Sequence, residues 1–282
     1  MKKSLKRTLI SIALALPLFF LLAACGSNKS NSATGSSAAK TVKIGIMGSD
    51  ERIWQAVGKV AKKKYNIDLK ITKFTDYNQP NAALSDGSID LNAFQHQFFL
   101  DNWNKAHKSD IVSIGDTILA PIRLYSKKIK SVKDIKKGDE IAIPNDATNE
   151  GRALNVLATI GLIKLDKKAL PTTADITENK LNLKITALDA AQTARALSDA
   201  TAAVVNDGVA NDAGLNPKSA LYVEKVNKKS KPYINIIAAN KKDAKNKTYL
   251  DLVKAYQTEA TKKLLQKYYK GADIPAWDIT LK

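Results

Sequence analysis

Apolar and polar residues follow two alternating periods along most of the chain. Short apolar runs typical of strands lie at 42–47, 69–74, 89–94, 111–116, 122–127, 141–146, 183–189, 202–207 and 233–240. Segments with helical spacing lie at 53–64, 80–84, 131–139, 152–160, 190–199 and 249–269. In the first of these, Ile53, Val57, Val60 and Ala61 fall on one face. This alternation predicts an α/β fold with largely parallel sheets.

The same pattern could form one large sheet or two smaller lobes. The charged segment KKIKSVKDIKKGD (127–139) is a candidate lobe boundary, and a second crossing is expected near KSKPYINII (229–237). We expect one lobe to comprise 41–124 and 236–282, and the other 125–235. Two lobes joined by two crossings leave a cleft, and ligands bind at the carboxyl ends of parallel strands.

The N-terminal residues have the pattern of an export signal. Four cationic side chains within the first seven residues precede an apolar run at 9–24, which ends in LAAC with Cys25. This pattern predicts a signal peptide over 1–24, and the run is short for a stable membrane span. LAAC resembles the lipobox of bacterial lipoproteins, which implies cleavage before Cys25 and a lipid on it. Ordinary signal cleavage near a chance cysteine is the alternative.

Composition and charge indicate where the protein is located and which partners it is expected to have. The Ser-, Gly-, Asn- and Ala-rich residues that follow Cys25 predict a flexible tether over 25–40. The formal net charge is +18, and the predicted signal peptide carries +4 of it, so a lipid-anchored chain of about +14 would lie favourably against the anionic outer face of a membrane. The lysine runs lack interleaved aromatic residues, so nucleic acid is not an expected partner.

Signals of catalysis are weak. The chain has two histidines and one cysteine, and it lacks G-x-S-x-G, H-E-x-x-H, Walker and dinucleotide-binding motifs. Metal-ligand spacing is also absent from the sequence. We therefore expect a protein that is not an enzyme and that needs no cofactor or metal.

Four polar or aromatic clusters follow strand-like runs, at 74–81, 92–99, 143–154 and 204–212. The third, IPNDATNEGRAL, can cap a helix that begins near Gly151 through Asn145, Asp146, Thr148 and Asn149. Arg152 would then lie in the first turn, which is unfavourable for a cation unless an anion joins it. With free backbone N–H groups it could bind a carboxylate. The alternative is a surface arginine on a capped helix.

The first two clusters supply an apolar slot, which Tyr77, Phe94, His96 and Phe99 could line. The alternatives are core packing for the two phenylalanines, a structural role for His96, and a turn cap for Asn206 at the end of the fourth cluster's strand. Taken together, the clusters describe a carboxylate clamp facing an aromatic slot. Such a site suits an amino acid or a short peptide with an apolar side chain.

Several segments in order resemble one family, the NlpA-type methionine-binding lipoproteins of ABC importers. These segments are DYNQPNAAL, DLNAFQH, YSKKIKSVKDIKKG, IAIPNDATNEGRAL, GLIKL and the VVN strand end. The resemblance runs from VKIGIM to the C-terminal helix. It implies a two-lobed periplasmic-binding-protein-like fold that closes on its ligand, an ABC permease as partner, and a lipid-anchored location on the extracytoplasmic face of the cell membrane.

The resemblance also implies roles for particular residues. Tyr77, Phe94, His96 and Phe99 would line the pocket; Asn149 and Arg152 would hold the ligand backbone; Asn206 would grip its amino group, and Asn235 would be a further contact. The family usually has tyrosine where this chain has Phe99, so one hydroxyl is missing. The implied ligand is L- or D-methionine or a close relative. A methionyl dipeptide, another amino acid, and a surface-adhesion lipoprotein are the alternatives.

Three departures from the family pattern lie near the expected cleft. Ala147 stands where many members have proline. VVNDGVAND replaces a common continuation of VVN with Asn or Thr and then Thr-Tyr-Ala, so Asp207 brings a carboxylate near the amino-group site and Gly208 loosens the turn. The segment MGSDERIW (47–54) also differs, and its Trp54 could enter the pocket or pack beside it.

Overall fold

The structure, a computed structural model, describes residues 38–282. The predicted signal peptide, the lipidation of Cys25 and most of the predicted tether fall outside the described residues. No helix within residues 38–282 is both long enough and apolar enough to span a membrane.

The described chain contains thirteen strands and seven helices, together with short 3₁₀ turns. The first part contains β1 (Lys40–Met47), α1 (Arg52–Tyr65), β2 (Ile67–Phe74), α2 (Gln79–Ser85), β3 (Leu91–Asn92), α3 (Gln97–His107) and β4 (Ile111–Leu119). The middle contains β5 (Arg123–Tyr125), β6 (Glu140–Pro144), α4 (Ala147–Thr159), β7 (Lys164–Leu165), β8 (Ile176–Glu178), β9 (Lys184–Leu188), β10 (Ala202–Val205), α5 (Asp207–Asp212) and β11 (Tyr222–Val223). The last part contains β12 (Ile234–Asn240), α6 (Lys247–Tyr256), α7 (Glu259–Tyr269) and β13 (Ile274–Pro275).

Two main sheets form the two lobes. The larger lobe has a six-stranded sheet in the order β13-β4-β12-β3-β1-β2, and the smaller lobe has a five-stranded sheet in the order β11-β5-β10-β6-β9. Strand β1 pairs in parallel with β2 and β3, and β6 pairs in parallel with β9 and β10. Strands β5 and β12 are antiparallel to their neighbours. The sheets are therefore mixed, and the prediction of largely parallel sheets holds only for part of each.

The reversed strands come where the chain passes between the lobes. The chain leaves the larger sheet after Leu119, enters the smaller one at Arg123, and returns between Val223 and Ile234. Strands β5 and β12 are thus the first strands after each crossing, and each enters its new sheet antiparallel to both of its neighbours. The charged segment 127–139 follows β5, so it does not lie between the sheets as expected.

Each lobe has its own apolar core. In the larger lobe, the buried face of α1 packs on the inward side chains of β1, among them Ile53, Val57 and Ala61 against Val42 and Ile44. In the smaller lobe, α4 packs on β6 and β10 through Leu154, Leu157, Ile141, Ile143 and Val204. The two cores hold the carboxyl ends of β1, β3, β6 and β10 at the edges that face the other lobe.

Several predicted elements are shorter or divided. The single helix expected at 249–269 is two helices, because the Thr258 hydroxyl accepts a hydrogen bond from the Thr261 amide at 3.1 Å and caps a new start. The helices expected at 131–139 and 190–199 are 3₁₀ turns, and the strand expected at 89–94 is only Leu91–Asn92. Local helix and strand preference is weak in such short segments, and tertiary contacts override it.

Gly45 in β1 offers a test of the larger core. A Cβ at this position would lie 2.6 Å from Ile89 Cδ1 and 2.8 Å from Phe74 Cε2. We expect Gly45→Ala to lower the free energy of unfolding by about 1–3 kcal/mol through overpacking, measured by denaturant titration. The matched control is Gly58→Ala in α1, where the nearest atom is 3.5 Å away. It should stabilise the helix by about 0.5–1 kcal/mol, and shifts of the same sign in both variants would contradict this account.

Candidate functional site

One cavity of about 190 Å³ lies in the cleft between the lobes. All eight predicted ligand-binding residues line it: Tyr77, Phe94, His96, Phe99 and Asn235 from the larger lobe, and Asn149, Arg152 and Asn206 from the smaller one. They converge because each follows, or lies beside, a strand that ends at the cleft.

Three aromatic rings form one wall of the cavity. The ring centroids of Tyr77 and Phe94 are 5.9 Å apart, those of Phe94 and Phe99 are 5.7 Å apart, and those of Tyr77 and Phe99 are 6.0 Å apart. The last two pairs meet edge to face, an arrangement that aromatic rings favour. These rings pack on one another at the cleft, which leaves an apolar surface open to it.

His96 lies at the border between this wall and the opposite lobe. It caps α3, since its Nδ1 accepts a hydrogen bond from the Phe99 amide at 3.0 Å. The proton of the neutral ring is therefore on Nε2, which donates across the cleft to Asn149 Oδ1 at 3.4 Å. Burial, together with the nearby charge of Arg152, lowers the pKa of His96 to about 3. His96 is thus a neutral hydrogen-bonding wall at physiological pH.

This lowered pKa predicts a pH dependence of stability. The unfolded chain binds a proton at His96 below its ordinary pKa of 6.5, whereas the folded chain resists protonation down to about 3. The free energy of unfolding should therefore fall as the pH drops from 6.5 toward 3. In His96→Asn, which keeps a side chain suited to the helix cap, this fall should be shallower in urea titrations between pH 7 and 4. Parallel pH profiles for both proteins would rule out this role of His96.

Asn149 connects the polar groups of the site. Its Oδ1 accepts from Asn206 Nδ2 at 2.9 Å as well as from His96. Its Nδ2 donates to both carboxylate oxygens of Asp146 at 3.0 Å. Asn206 Oδ1 is buried and has no hydrogen-bond partner anywhere in the described part of the chain. The network therefore orients one acceptor that nothing in residues 38–282 satisfies.

Arg152 lies further inside helix α4 than the sequence predicts. Helix α4 begins at Ala147 with Asp146 as its cap, and Asp146 Oδ1 accepts from the Asn149 amide at 3.0 Å. Gly151 therefore lies inside the helix, and Arg152 lies in its second turn. The expectation that Arg152 opposes the helix dipole in the first turn is wrong.

An anion does accompany Arg152, and it comes from the protein itself. Arg152 Nε donates to the two carboxylate oxygens of Glu224 at 3.0 and 3.1 Å, and Nη2 donates to Glu224 and to the Ala120 carbonyl. The guanidinium also lies 4.2 Å from the centre of the Tyr233 ring. Within residues 38–282, Nη1 has no hydrogen-bond partner, and Arg152 is one of the residues that line the cavity.

The sequence reading missed both of these partners of Arg152. Tyr233 also lies edge to face with His96, at 5.1 Å between ring centroids. Its aromatic ring, two positions before Asn235, was the sequence signal that could have identified it. Glu224 lies between β11 and β12 and carries no local signal of its role.

The carboxylate of Asp207 is neutralised within the smaller lobe. Arg123 Nη1 donates to Asp207 Oδ1, and Asn211 Nδ2 donates to Asp207 Oδ2 at 2.7 Å. An arginine within the apolar run IRLYSK was the sequence signal that could have pointed to this pair. The charge that Asp207 adds near the expected amino-group site is therefore largely balanced.

Two segments that depart from the family pattern meet across the cleft. The Ser49 amide and hydroxyl donate to Asp212 Oδ1 at 3.0 and 2.9 Å. Trp54 lines the cavity and is also packed on Tyr256, with ring centroids 5.0 Å apart. Both readings of Trp54 therefore hold.

A buried amide network accounts for Asn92 and Gln95 of the segment 92–99. Gln95 exchanges hydrogen bonds with Asn81 and donates to Asn92 at 3.0 Å, and Asn92 donates to Asn81 at 2.8 Å. All three side chains are buried, and each finds partners in the others. This network fixes β3 and the start of α3, and thereby the positions of Phe94 and His96.

Among residues 38–282, no three His, Cys, Asp or Glu side chains lie together in an arrangement that could hold a metal ion.

Comparison with known proteins decides the family. The model of the family described as NlpA lipoprotein matches residues 42–277. The chain belongs to the NlpA lipoprotein family. The probable D-methionine-binding lipoprotein MetQ of Vibrio cholerae is 41% identical to it over 281 residues, which cover 98% of this chain and all of that one.

Solved structures of NlpA-like proteins agree with the fold. The substrate-binding protein of a methionine transporter from Streptococcus pneumoniae is 47% identical, with a TM-score of 0.80 over 84% of this chain and 96% of that one. A nutrient-binding protein from Burkholderia cenocepacia, solved bound to methionine, is 45% identical, with a TM-score of 0.80 over 83% of this chain and 99% of that one. The predicted family resemblance and the predicted α/β two-lobed fold are confirmed, and the roles of the individual site residues remain predictions.

Proposed function

We propose that this NlpA lipoprotein is a solute-binding protein that holds methionine, in its L or D form, between its lobes and delivers it to an ABC permease. The observation that carries the proposal is a complementary pair of unused groups on one cavity. Arg152 Nη1 is a charged donor and Asn206 Oδ1 is a buried acceptor, and neither has a partner within 38–282. An amino acid supplies a carboxylate for the first and an ammonium for the second.

The side chain of the ligand would enter the aromatic slot. Tyr77, Phe94 and Phe99 offer ring surfaces at which a thioether gains about 0.3–1.5 kcal/mol per contact. The neutral His96 would close the slot without adding a charge, and the partly buried amide of Asn235 would be a further polar contact. The cavity of about 190 Å³ is small beside the ~300–1,000 Å³ of sites for drug-sized ligands, which favours a single amino acid over a longer peptide.

The names of the relatives support the same class of ligand and partner. The Vibrio cholerae relative is named for D-methionine binding, and the Streptococcus pneumoniae protein for a methionine transporter. In this proposal Cys25 carries the lipid that anchors the protein to the extracytoplasmic face of the membrane. Residues 41–124 and 236–282 would form one lobe and 125–235 the other, apart from the short strand β5.

We further propose that the site performs no catalysis. An imidazole with a pKa of about 3 is a poor general base near neutral pH, where proton transfer needs a group that titrates close to the working pH. Two charged side chains that line the cavity are paired with residues behind it, Arg152 with Glu224 and Asp207 with Arg123.

The test is to identify what the protein carries when it is purified from cells. The protein is weighed by native mass spectrometry, then denatured, and any released molecule is identified. Release of methionine supports the proposal, and release of a methionyl dipeptide or another amino acid shifts the ligand within the same class. An empty protein whose melting temperature is unchanged by methionine isomers and methionyl dipeptides would refute it. Salt-sensitive binding to cell surfaces by such a protein would then favour an adhesion lipoprotein.

A further inference from the structure

A second set of contacts crosses the cleft apart from the eight predicted ligand-binding residues. From the smaller lobe it includes Arg123, at the start of β5, and Asp207, the first residue of α5. From the larger lobe it includes Ala272 and Asp273, which lie between α7 and β13. Arg123, Asp207 and Asp273 are each buried, with 5%, 6% and 6% of their surface exposed.

These groups bond to one another across the two lobes. Arg123 Nη1 donates to Asp207 Oδ1, and Arg123 Nη2 donates to the Ala272 carbonyl at 3.3 Å. Asp207 lies close enough to Asp273 across the cleft for its carboxyl group to raise the pKa of Asp273. Asp273 Oδ1 finds no donor among the described residues. Two buried carboxyl groups that face each other beside a single arginine are stabilised when one of them carries a proton and can donate to the other.

The surroundings of Asp273 favour its protonated form. Burial, and then the neighbouring Asp207, raise the pKa of Asp273 well above its ordinary range, and Asp50 adds to this while Arg123 opposes it. The other titratable groups that face it are Tyr256 and Tyr269, from α6 and α7, whose own pKa values are raised by burial. A neutral acid at Asp273 can donate to Asp207, whereas two adjacent carboxylates would repel.

We propose that Arg123, Asp207 and Asp273 form an interlobe clasp that favours the closed cleft in the absence of ligand. Closing the lobes makes these contacts, and opening them removes Asp273 and the Ala272 carbonyl from their partners. The clasp contributes a fixed free energy to closure that is independent of which ligand binds. Asp207 and Asp273 line the same cavity but are not among the eight predicted ligand contacts. Because apparent affinity is reduced by the fraction of protein that is not competent to bind, the clasp would also tune affinity through closure.

Amide hydrogen exchange of the full-length chain, stripped of ligand and held in detergent, tests the clasp directly. The Ser49 amide donates to Asp212 across the cleft, so its exchange reports opening. The Gly48 amide donates within the larger lobe to the Phe74 carbonyl and serves as internal reference. Relative to that reference, the Ser49 amide should exchange at least about fivefold faster in Asp273→Ala than in the wild type. Asp273→Asn, which can still donate to Asp207, should stay close to the wild type.

The matched control is Asp278→Ala, which removes a carboxylate from the same C-terminal segment, where it pairs with Lys262 at the surface. It should leave Ser49 exchange unchanged. Equal Ser49 exchange in Asp273→Ala and the wild type would overturn the clasp.

A pH series keeps the proposal testable even if Asp273→Ala folds poorly. Because the closed state binds the shared proton more tightly, closure is favoured at low pH and weakens as the pH rises through the raised pKa of Asp273. Ser49 exchange relative to Gly48 should therefore rise with pH in the wild type and stay flat in Asp273→Asn. The same pH response in both proteins would contradict the proposal.

The effect on affinity rests on the proposed function and is measured separately. If methionine is the ligand, Asp273→Ala should weaken its binding by about 5- to 150-fold. Failure of the wild type to bind methionine would count against the proposed function, while the exchange result would still decide whether the clasp exists.

Discussion

Replacement of Arg152 by alanine is expected to remove most of the affinity for methionine. Arg152 lines the cavity and leaves its donor Nη1 unused, and a ligand carboxylate buried there without a cation is left unpaired. Truncating one partner of a buried, hydrogen-bonded charge pair costs about 2–5 kcal/mol. That range corresponds to a roughly 30-fold to several-thousand-fold rise in the dissociation constant, which calorimetric titration can measure.

The same substitution also disturbs the protein, and a second variant separates the two effects. Without Arg152, the carboxylate of Glu224 loses its cation, and breaking a buried ion pair in this way destabilises by about 3–5 kcal/mol. The double variant Arg152→Ala/Glu224→Gln removes this unpaired charge. It should recover much of the lost stability and still fail to bind methionine. Glu224→Gln alone keeps Arg152 and should retain binding. Full affinity in the double variant would exclude Arg152 from the site.

Replacement of Asn149 by alanine should have the second largest effect, because it acts on both lobes at once. Asn206 Nδ2 and His96 Nε2 lose their shared acceptor, and each buried donor left unsatisfied costs about 1–3 kcal/mol. We expect a clear drop in the free energy of unfolding in denaturant titrations. Methionine binding should weaken by at least about tenfold, since Asn206 loses the bond that aims its free acceptor.

The control for Asn149 lies in the same helix. Asn155 is exposed and donates only to the Gly151 carbonyl, at 2.8 Å. Asn155→Ala should therefore change stability by no more than about 0.5 kcal/mol and leave binding intact. Similar losses in the two variants would mean that Asn149 acts only as one more helical residue.

Long periodic segments and strand ends were predictable from the sequence. The apolar face of α1 and the apolar runs of β1, β6 and β10 can be recognised in the sequence, because the buried face of a helix or a strand repeats with the period of that element. The polar clusters could be assigned to one cleft for a similar reason, since strand ends in an α/β sheet meet at one edge. All eight predicted residues line the cavity as a consequence.

The direction of the strands, the exact start of a helix and the partners of charged side chains could not be predicted in the same way. Strands β5 and β12 run antiparallel to their neighbours where the chain enters each sheet, and apolar periodicity carries no information on strand direction. The start of α4 depends on which of several possible residues caps the helix. Asp146 is the cap, so the helix begins at Ala147, four residues before the start expected near Gly151. Local uncertainty of this kind is ordinary at helix ends.

The charge pairs of the site lie furthest from any sequence signal. Glu224 is 72 positions from Arg152, and Asp207 is 84 positions from Arg123. Such pairs form because burying one charge requires another nearby, yet nothing in the local sequence says which acid will meet which base. Both pairs border the cleft, so the free charge of the cavity is set by contacts that only the folded chain reveals.

The central claim is that this cleft binds methionine, and calorimetric titration of the ligand-stripped protein tests it most directly. The account predicts saturable heat with one methionine per chain, lost in Arg152→Ala/Glu224→Gln and retained in Glu224→Gln. Absence of heat with both L- and D-methionine at ligand concentrations of about 1 mM would mean that any affinity is worth less than about 4 kcal/mol. That result would contradict the claim.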